Sequence, residues 1–335
     1  MSPTLSVVII GRNEGERLMH CLDSVRAMHA LGADPEIIYV DSGSRDGSPD
    51  RARTRGVRVI AVTAEHPTAA RGRNAGWRAC SGAFVLFLDG DTIVAPEFVE
   101  RALPEFENPR VAVVWGERRE IRPESSVFNR ILDLDWIHRP GFTEFCSGDA
   151  LVRRMVLEEV GGYDAELIAG EEADMCRRMR ARGHLILHLA VPMTGHDLAI
   201  TRWSQYWRRA WRSGYAYVEV SERFRGSGMP VWENEVRGNR VRAGVLLTVP
   251  VVGAALSLGL RSPWPLVAVP LFYSALVVRT AHKYRWKGGS LATRLLYGLH
   301  SHAQQIPILI GQITYLRDRR AGRKRALIEY KGVDS

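Results

Sequence analysis

The chain has 335 residues, 46% hydrophobic and 25% charged, with a formal net charge of +9 at pH 7. That length suffices for one large domain or two small ones, and the apolar share for a packed core. The basic surplus suits nucleic acid, an anionic membrane surface or a phosphorylated substrate, and does not choose among them. The four cysteines, Cys21, Cys80, Cys146 and Cys176, have neither C-x-x-C spacing nor a His-rich partner pattern. Reduced, buried thiols in a cytosolic domain are expected, and a zinc site is not.

The first residues reach an apolar strand by Leu5 without a basic n-region, so no signal peptide is read there. "LSVVII" (5–10) is a strand, followed by a helical pattern over about 14–30. "EIIYVDSGS" (36–44) is a second strand ending in turn residues, and 48–56 suits a helix. A third strand over 57–62, a helix over 70–82 and a fourth strand, "AFVLFLD", complete the alternation. Apolar strands alternating with helices predict an α/β, doubly wound, mostly parallel sheet covered by helices on both faces.

Ligands bind such sheets beyond the carboxyl ends of the strands. Asp41 ends the second strand, and Asp89 and Asp91 end the fourth. Three carboxylates at one rim repel unless a cation sits among them, and a hard divalent ion that also holds phosphates is the natural occupant. Gly90, between two of them, is expected to let the backbone turn tightly. The glycines of "DSGSRDGS" do not make a dinucleotide fingerprint, because the first strand runs into "GRNEGERL", with Gly11 and Gly15 only.

Further on, Glu171, Glu172 and Asp174 open a helix whose later turns carry Arg177, Arg178 and Arg180. That order suits the helix dipole. Three acids in four positions after a glycine loop also offer a carboxylate to take a proton from a bound hydroxyl.

Residues 201–217, "TRWSQYWRRAWRSGYAY", have the Trp, Tyr and Arg mixture favoured at a membrane surface. Residues 243–260 and 264–278 carry no charge, and the first segment is long enough to cross a bilayer. Arg237, Arg240 and Arg242 precede the pair, and Arg279, Lys283, Arg285 and Lys287 follow it, so both ends are expected on the cytoplasmic side. The alternative is a buried helical hairpin in a soluble core. His300, His302, Gln304 and Gln305 interrupt a third stretch, 291–316. It reads as an amphipathic helix on the inner face, with a third crossing left open. The basic tail, 317–335, either meets anionic lipid or is a solvated end. The expected organisation is a catalytic domain over 1–225, with a nucleotide-binding half to about 92 and an acceptor half after it. A linker or interfacial segment over 226–242, a membrane region over 243–316 and the tail follow.

The stretches "LSVVIIGRNEGERLMHCLDSV", "IIYVDSGSRDGS", "ARGRNAGWRACSGAFVLFLDGDTIV" and "SGDALVRRMVLEEVGGYDAELIAGEEADMCRRM" together resemble family 2 glycosyltransferases of the GT-A fold, over about residues 5–183. The resemblance implies an inverting, metal-dependent transferase that takes a nucleotide diphosphate sugar, a UDP-sugar being favoured. The acceptor would be lipid-linked or a growing glycan, at the inner (cytoplasmic) membrane, in cell-surface polysaccharide or glycolipid synthesis. It places Arg12, Asn13, Glu14, Asp41, Arg71, Asn74 and Asp89 on the donor and makes Glu172 the base. Asp89 and Asp91 would hold Mn2+ or Mg2+, Asp91 most directly, with His196 as a third ligand or phosphate contact. Gly148, Asp149, Glu171, Asp174, Gln205, Arg208 and Arg209 would face the acceptor or diphosphate.

Three positions depart from the family pattern. Ser42 follows Asp41 where a second acid is common, Glu172 stands where Asp is more frequent, and Arg209 replaces the Trp of a Q-x-x-R-W signature. Two other readings of the chain are a sugar nucleotidyltransferase and a non-catalytic membrane scaffold. The membrane pair and the acidic helix start speak against the first, and Asp89, Asp91 and Glu172 against the second. Nucleic acid is not expected as a partner, because the basic residues cluster around the membrane pair and no recognised binding motif is present.

Overall fold

The computed structural model describes residues 4–29, 34–63 and 67–323. The basic tail from residue 324 on lies outside the described residues. The described residues divide into two compact units, one built from those of 4–122 with Trp136–Ala199, the other from Pro123–Asp135 with 200–323.

The first unit is a sheet with helices. Its strands are β1 (Leu5–Gly11), β2 (Glu36–Asp41), β3 (Arg58–Ala61), β4 (Phe84–Asp89), β5 (Thr92–Val94), β6 (Val111–Glu120), β7 (Gly141–Thr143), β8 (Ala150–Arg153) and β9 (Leu185–His196). Its helices are α1 (Glu16–Arg26), α2 (Ser48–Thr54), α3 (Ala69–Ala79) and α4 (Phe98–Ala102). The second unit contributes α5 (Val127–Asp133), and α6 (Arg154–Val160) and α7 (Glu171–Ala181) return to the first. The sheet order is β3-β2-β1-β4-β8-β6-β9-β5, with β7 beside β9.

The alternating first half forms as the apolar runs require. β1, β2, β3 and β4 are all parallel, and Val7, Val8, Ile9 and Val85 to Leu88 are wholly buried. α3 lies close over β1 because a Cβ at Gly76 would come 2.2 Å from Val8 Cγ1. The second half departs from the alternation: β8 enters antiparallel between β4 and β6, and β5 and β7 run antiparallel to β9. Only β6 and β9 are parallel there. The sheet is therefore mixed.

Register sets the rim. Gly11 pairs with Asp41, Ile10 with Asp89, and Thr92 with His196. The start of β5 therefore meets the end of β9.

In the second unit α8 (Trp203–Arg223), α9 (Glu233–Gly259), α10 (Trp264–Lys283), α11 (Leu291–Ala303) and α12 (Gln305–Arg320) follow. α9 and α10 are long and apolar enough to cross a membrane, and only 11% of each apolar window is buried. A soluble-core hairpin would hide those side chains; here Leu258 is 81% and Trp264 73% exposed. The stretch 291–316 forms two helices, broken at Gln304. α8 and α12 cross through glycines: a Cβ at Gly214 would lie 2.0 Å from the Ile308 oxygen, and one at Gly311 2.1 Å from the Trp211 oxygen. Asn239, Gln305 and Gln312 are buried between α9 and α12 and bond one another at 2.8–2.9 Å.

Candidate active site

At the ends of β1 and β2 two loops are tied together. Asn13 N donates to Ser44 Oγ at 2.8 Å, and Arg45 N to Asn13 Oδ1 at 2.8 Å. Gly15 N donates to Asp46 Oδ2 at 2.9 Å and Ser48 Oγ at 3.0 Å. Asn13 has φ +55°, a value that Asn tolerates better than most residues. Asp41 is buried and accepts from Gly43 N, Ser44 N and the Tyr39 hydroxyl, each at 3.0 Å. Glu14 pairs with Arg17 at 2.9 Å, and Arg12 is exposed on the same loop.

Beside this rim, Asp89, Asp91 and His196 each bring one ligand atom to within 4.8 Å of the others. His196 Nε2 is 3.3 Å from Asp91 Oδ1, and both side chains are buried. Two carboxylates and an imidazole converging from β4, the β4–β5 turn and β9 fit a divalent cation with oxygen and nitrogen ligands. Gly90 has no positive φ among the described residues. It is required instead by close approach, since a Cβ there would lie 3.0 Å from Glu14 Cγ and 3.2 Å from the Ile10 oxygen. The backbone does turn tightly at Gly90 and Asp91, between the end of β4 and the start of β5.

The centre of the site is Arg73, on α3, which is 2% exposed. Its Nη1 donates to Glu171 Oε1 at 2.8 Å and Glu172 Oε1 at 3.1 Å, and its Nη2 to Asp89 Oδ1 at 3.1 Å. The Tyr163 ring lies 5.5 Å from the guanidinium. Gly148 leaves room for it, since a Cβ there would meet Arg73 Nη2 at 2.6 Å. A second cation, Arg118 on β6, lies 3.5 Å from Asp89 Oδ2 and 3.6 Å from Asp149 Oδ2. Its guanidinium sits 4.9 Å from the Trp136 ring, which meets His196 edge-on at 4.9 Å. Asp149 is fixed from two sides, by Asp89 N at 3.0 Å and Thr194 Oγ1 at 2.8 Å.

These neighbours split the carboxylates. Burial pushes the Glu172 pKa up to about 7, with Glu171 adding to it and Arg73 opposing. Burial also raises Asp149, to about 6, against the Arg118 charge. Burial acts on Asp89 in the same sense, but Arg73 and Arg118 outweigh it and hold that carboxyl below its ordinary value.

Arg71 pairs with Glu166 at 2.8 Å on a partly exposed flank. Asn74 is buried and bonds Tyr163 N, Tyr163 O and Trp77 Nε1, which pins the turn after α6. Asp174 pairs with Arg178 at 2.7 Å along α7. Gln205 Oε1 accepts from Thr201 N at 2.9 Å and Arg202 N at 3.0 Å, capping α8. Arg208 is exposed and Arg209 half-buried on α8, in the second unit. Arg73, Arg118, Thr194 and Trp136 were not singled out from the sequence. For Arg73 a signal existed, its place one residue before Asn74 on the helix leading into β4.

Residues 6–161 match the profile described as Glycosyl transferase family 2. They form a family 2 glycosyltransferase domain. Glycosyltransferase AglE of Haloferax volcanii is 26% identical over 193 residues, which are 54% of this chain and 63% of that protein. The pre-mycofactocin glycosyltransferase of Mycobacterium tuberculosis is 28% identical over 211 residues, 58% of this chain and 42% of that one. The chain thus spans about half the length of these curated relatives. Among solved structures, the mannosyltransferase PcManGT of Pyrobaculum calidifontis, in complex with GDP-Man and Mn2+, is similar with a TM-score of 0.59 at 19% identity. The match covers 95% of this chain and 88% of that one, and bears on the fold. The family 2 domain thus has the GT-A fold, and its matched residues include Arg73, Asp89, Asp91, Arg118 and Asp149.

Proposed function

We propose that the protein is a metal-dependent inverting glycosyltransferase, moving a sugar from a nucleoside diphosphate to a hydroxyl acceptor at a membrane. The observation that carries this reading is the side-by-side arrangement of two groups of acids around Arg73: Asp89, with Asp91 and His196, on one side, and Glu171 with Glu172 on the other.

Asp89, Asp91 and His196 would hold the divalent cation, and the imidazole among them favours Mn2+ over Mg2+. When bound, such an ion neutralises a diphosphate and makes it a better leaving group. Glu172, with a pKa of about 7, is suited to accept the acceptor hydroxyl proton near neutral pH. The freed oxygen attacks C1 from the face opposite the diphosphate. The new C1–O bond forms as the bond from C1 to the phosphate oxygen breaks, and the nucleoside diphosphate carries away the electron pair. Arg73 keeps Glu172 aimed and prevents Asp89 and Glu171 from repelling it. The tied loops at 12–15 and 41–48 would form the nucleotide wall, with Asp41 and Asn13 as its polar members. α9 and α10, with arginines and lysines at both ends, support an acceptor met at the cytoplasmic face of the inner membrane, lipid-linked or part of a growing glycan.

Calorimetry on detergent-purified protein tests this, with UDP, GDP, dTDP and CMP titrated with and without Mn2+. Tight binding of one diphosphate only with metal is expected. Absence of binding under every condition would overturn the transferase reading.

A further inference from the structure

Between Glu235 and Asp318 the sequence has no aspartate or glutamate but has ten arginines and lysines, so the cations of α10 and α11 find no carboxylate on their own helices. The imbalance gathers where the uncharged parts of α9 and α10 end. Arg242 is the last charge before one uncharged run, and Arg279 the first after the other. α10 packs against both α9 and α11, and His302 stands near the end of α11. Its Nε2 lies 3.0 Å from Thr280 Oγ1, next in sequence to Arg279, and 3.3 Å from the Leu276 oxygen. One turn later Gln305 Oε1 accepts from Arg242 Nε at 3.2 Å, a neutral partner. Burial lowers the His302 pKa, and the charges of Arg279 and Arg242 act in the same sense. The Asp135 carboxylate of the same unit is engaged by His300 at 3.2 Å and the Tyr297 hydroxyl at 3.0 Å. Among the described residues neither Arg242 nor Arg279 pairs with an acid.

We propose that Arg242, Arg279 and the adjoining edge of His302 bind the phosphate group of a membrane lipid at the cytoplasmic ends of α9 and α10. This rests on the reading of α9 and α10 as membrane helices. Guanidinium groups hold phosphate oxygens in pairs, and basic clusters next to a bilayer attract anionic headgroups. The phosphate belongs either to an ordinary anionic phospholipid or to a long-chain isoprenoid phosphate.

Native mass spectrometry of the full chain in detergent tests the site, with phosphatidylcholine, phosphatidylglycerol or a polyprenyl phosphate added. Retention of one anionic lipid about tenfold above phosphatidylcholine is expected. Preference for the polyprenyl phosphate over phosphatidylglycerol identifies the isoprenoid source, and equal retention of those two identifies a general headgroup site. The Arg242→Ala/Arg279→Ala double variant should lose the preference, the Arg242→Lys/Arg279→Lys variant keep part of it, and Arg261→Ala, in the opposite loop, keep all of it. Equal retention of both anionic lipids and phosphatidylcholine by the unaltered chain, or an equal loss with Arg261→Ala, overturns the site and leaves the membrane reading standing. A chain that purifies without detergent overturns both.

Discussion

The Arg73 guanidinium stands 3.1 Å from Glu172, the residue proposed as the base, and the same guanidinium reaches Asp89 at 3.1 Å. One buried cation thus serves both halves of the site. Arg73→Ala leaves Asp89, Glu171 and Glu172 without their shared partner. Removing one member of a buried ion pair costs about 3–5 kcal/mol, so thermal unfolding of the variant should shift down clearly. An unchanged midpoint would mean that water replaces the guanidinium without penalty.

Glu172→Gln keeps the shape and removes the proton acceptor. Donor binding by calorimetry should be retained while transfer falls by about 10²–10⁴-fold. Loss of both together would make Glu172 a structural residue.

Asp91→Ala and His196→Ala should each abolish the Mn2+ dependence of nucleotide binding, because each removes one of three converging ligand atoms. Retained metal dependence in both variants would move the ion elsewhere.

Proton linkage gives a pH signature. Glu172, at about 7, and Asp149, at about 6, lie above their ordinary values of 4.5 and 3.8. Between those values the folded state binds more protons than the unfolded chain, so these two groups make metal-free protein less stable as pH rises toward 7. Asp89 acts oppositely, because its lowered pKa contributes stability that is lost as pH falls below 3.8. Denaturant midpoints of metal-free protein across pH 4–8, compared with Glu172→Gln, check the sign: the variant should show a smaller decline.

Gly311→Val drives a side chain into the Trp211 carbonyl, 2.1 Å from where its Cβ would lie. Overpacking of this kind costs about 1–3 kcal/mol or more. Detergent-solution unfolding monitored by tryptophan fluorescence should show it, and an unperturbed variant would mean that α8 and α12 slide apart cheaply.

β1, β2 and β4 were legible because their apolar runs are nearly continuous, and rim acids stand directly at the ends of β2 and β4. The second half of the sheet was not: β5, β7 and β8 are three or four residues long, and β9 contains His188, Pro192 and Gly195 within its span. Asp89, Asp91, His196 and Glu172 could be named from position and resemblance. Arg73 and Arg118 could not, since an arginine on a helix or strand reads as solvated until tertiary contacts bury it. Asn74 and Gln205 look like ligand contacts in sequence, yet their amides fix a turn and a helix start in the structure.

The knot between residues 12–15 and 41–48 has a kinetic meaning. Four hydrogen bonds already join the two loops before any ligand arrives. The disorder of those segments is surrendered during folding and not at each encounter with a donor. Nucleotide capture at this edge would then be a single-step event, its observed rate rising linearly with nucleotide concentration and showing no plateau from loop rearrangement.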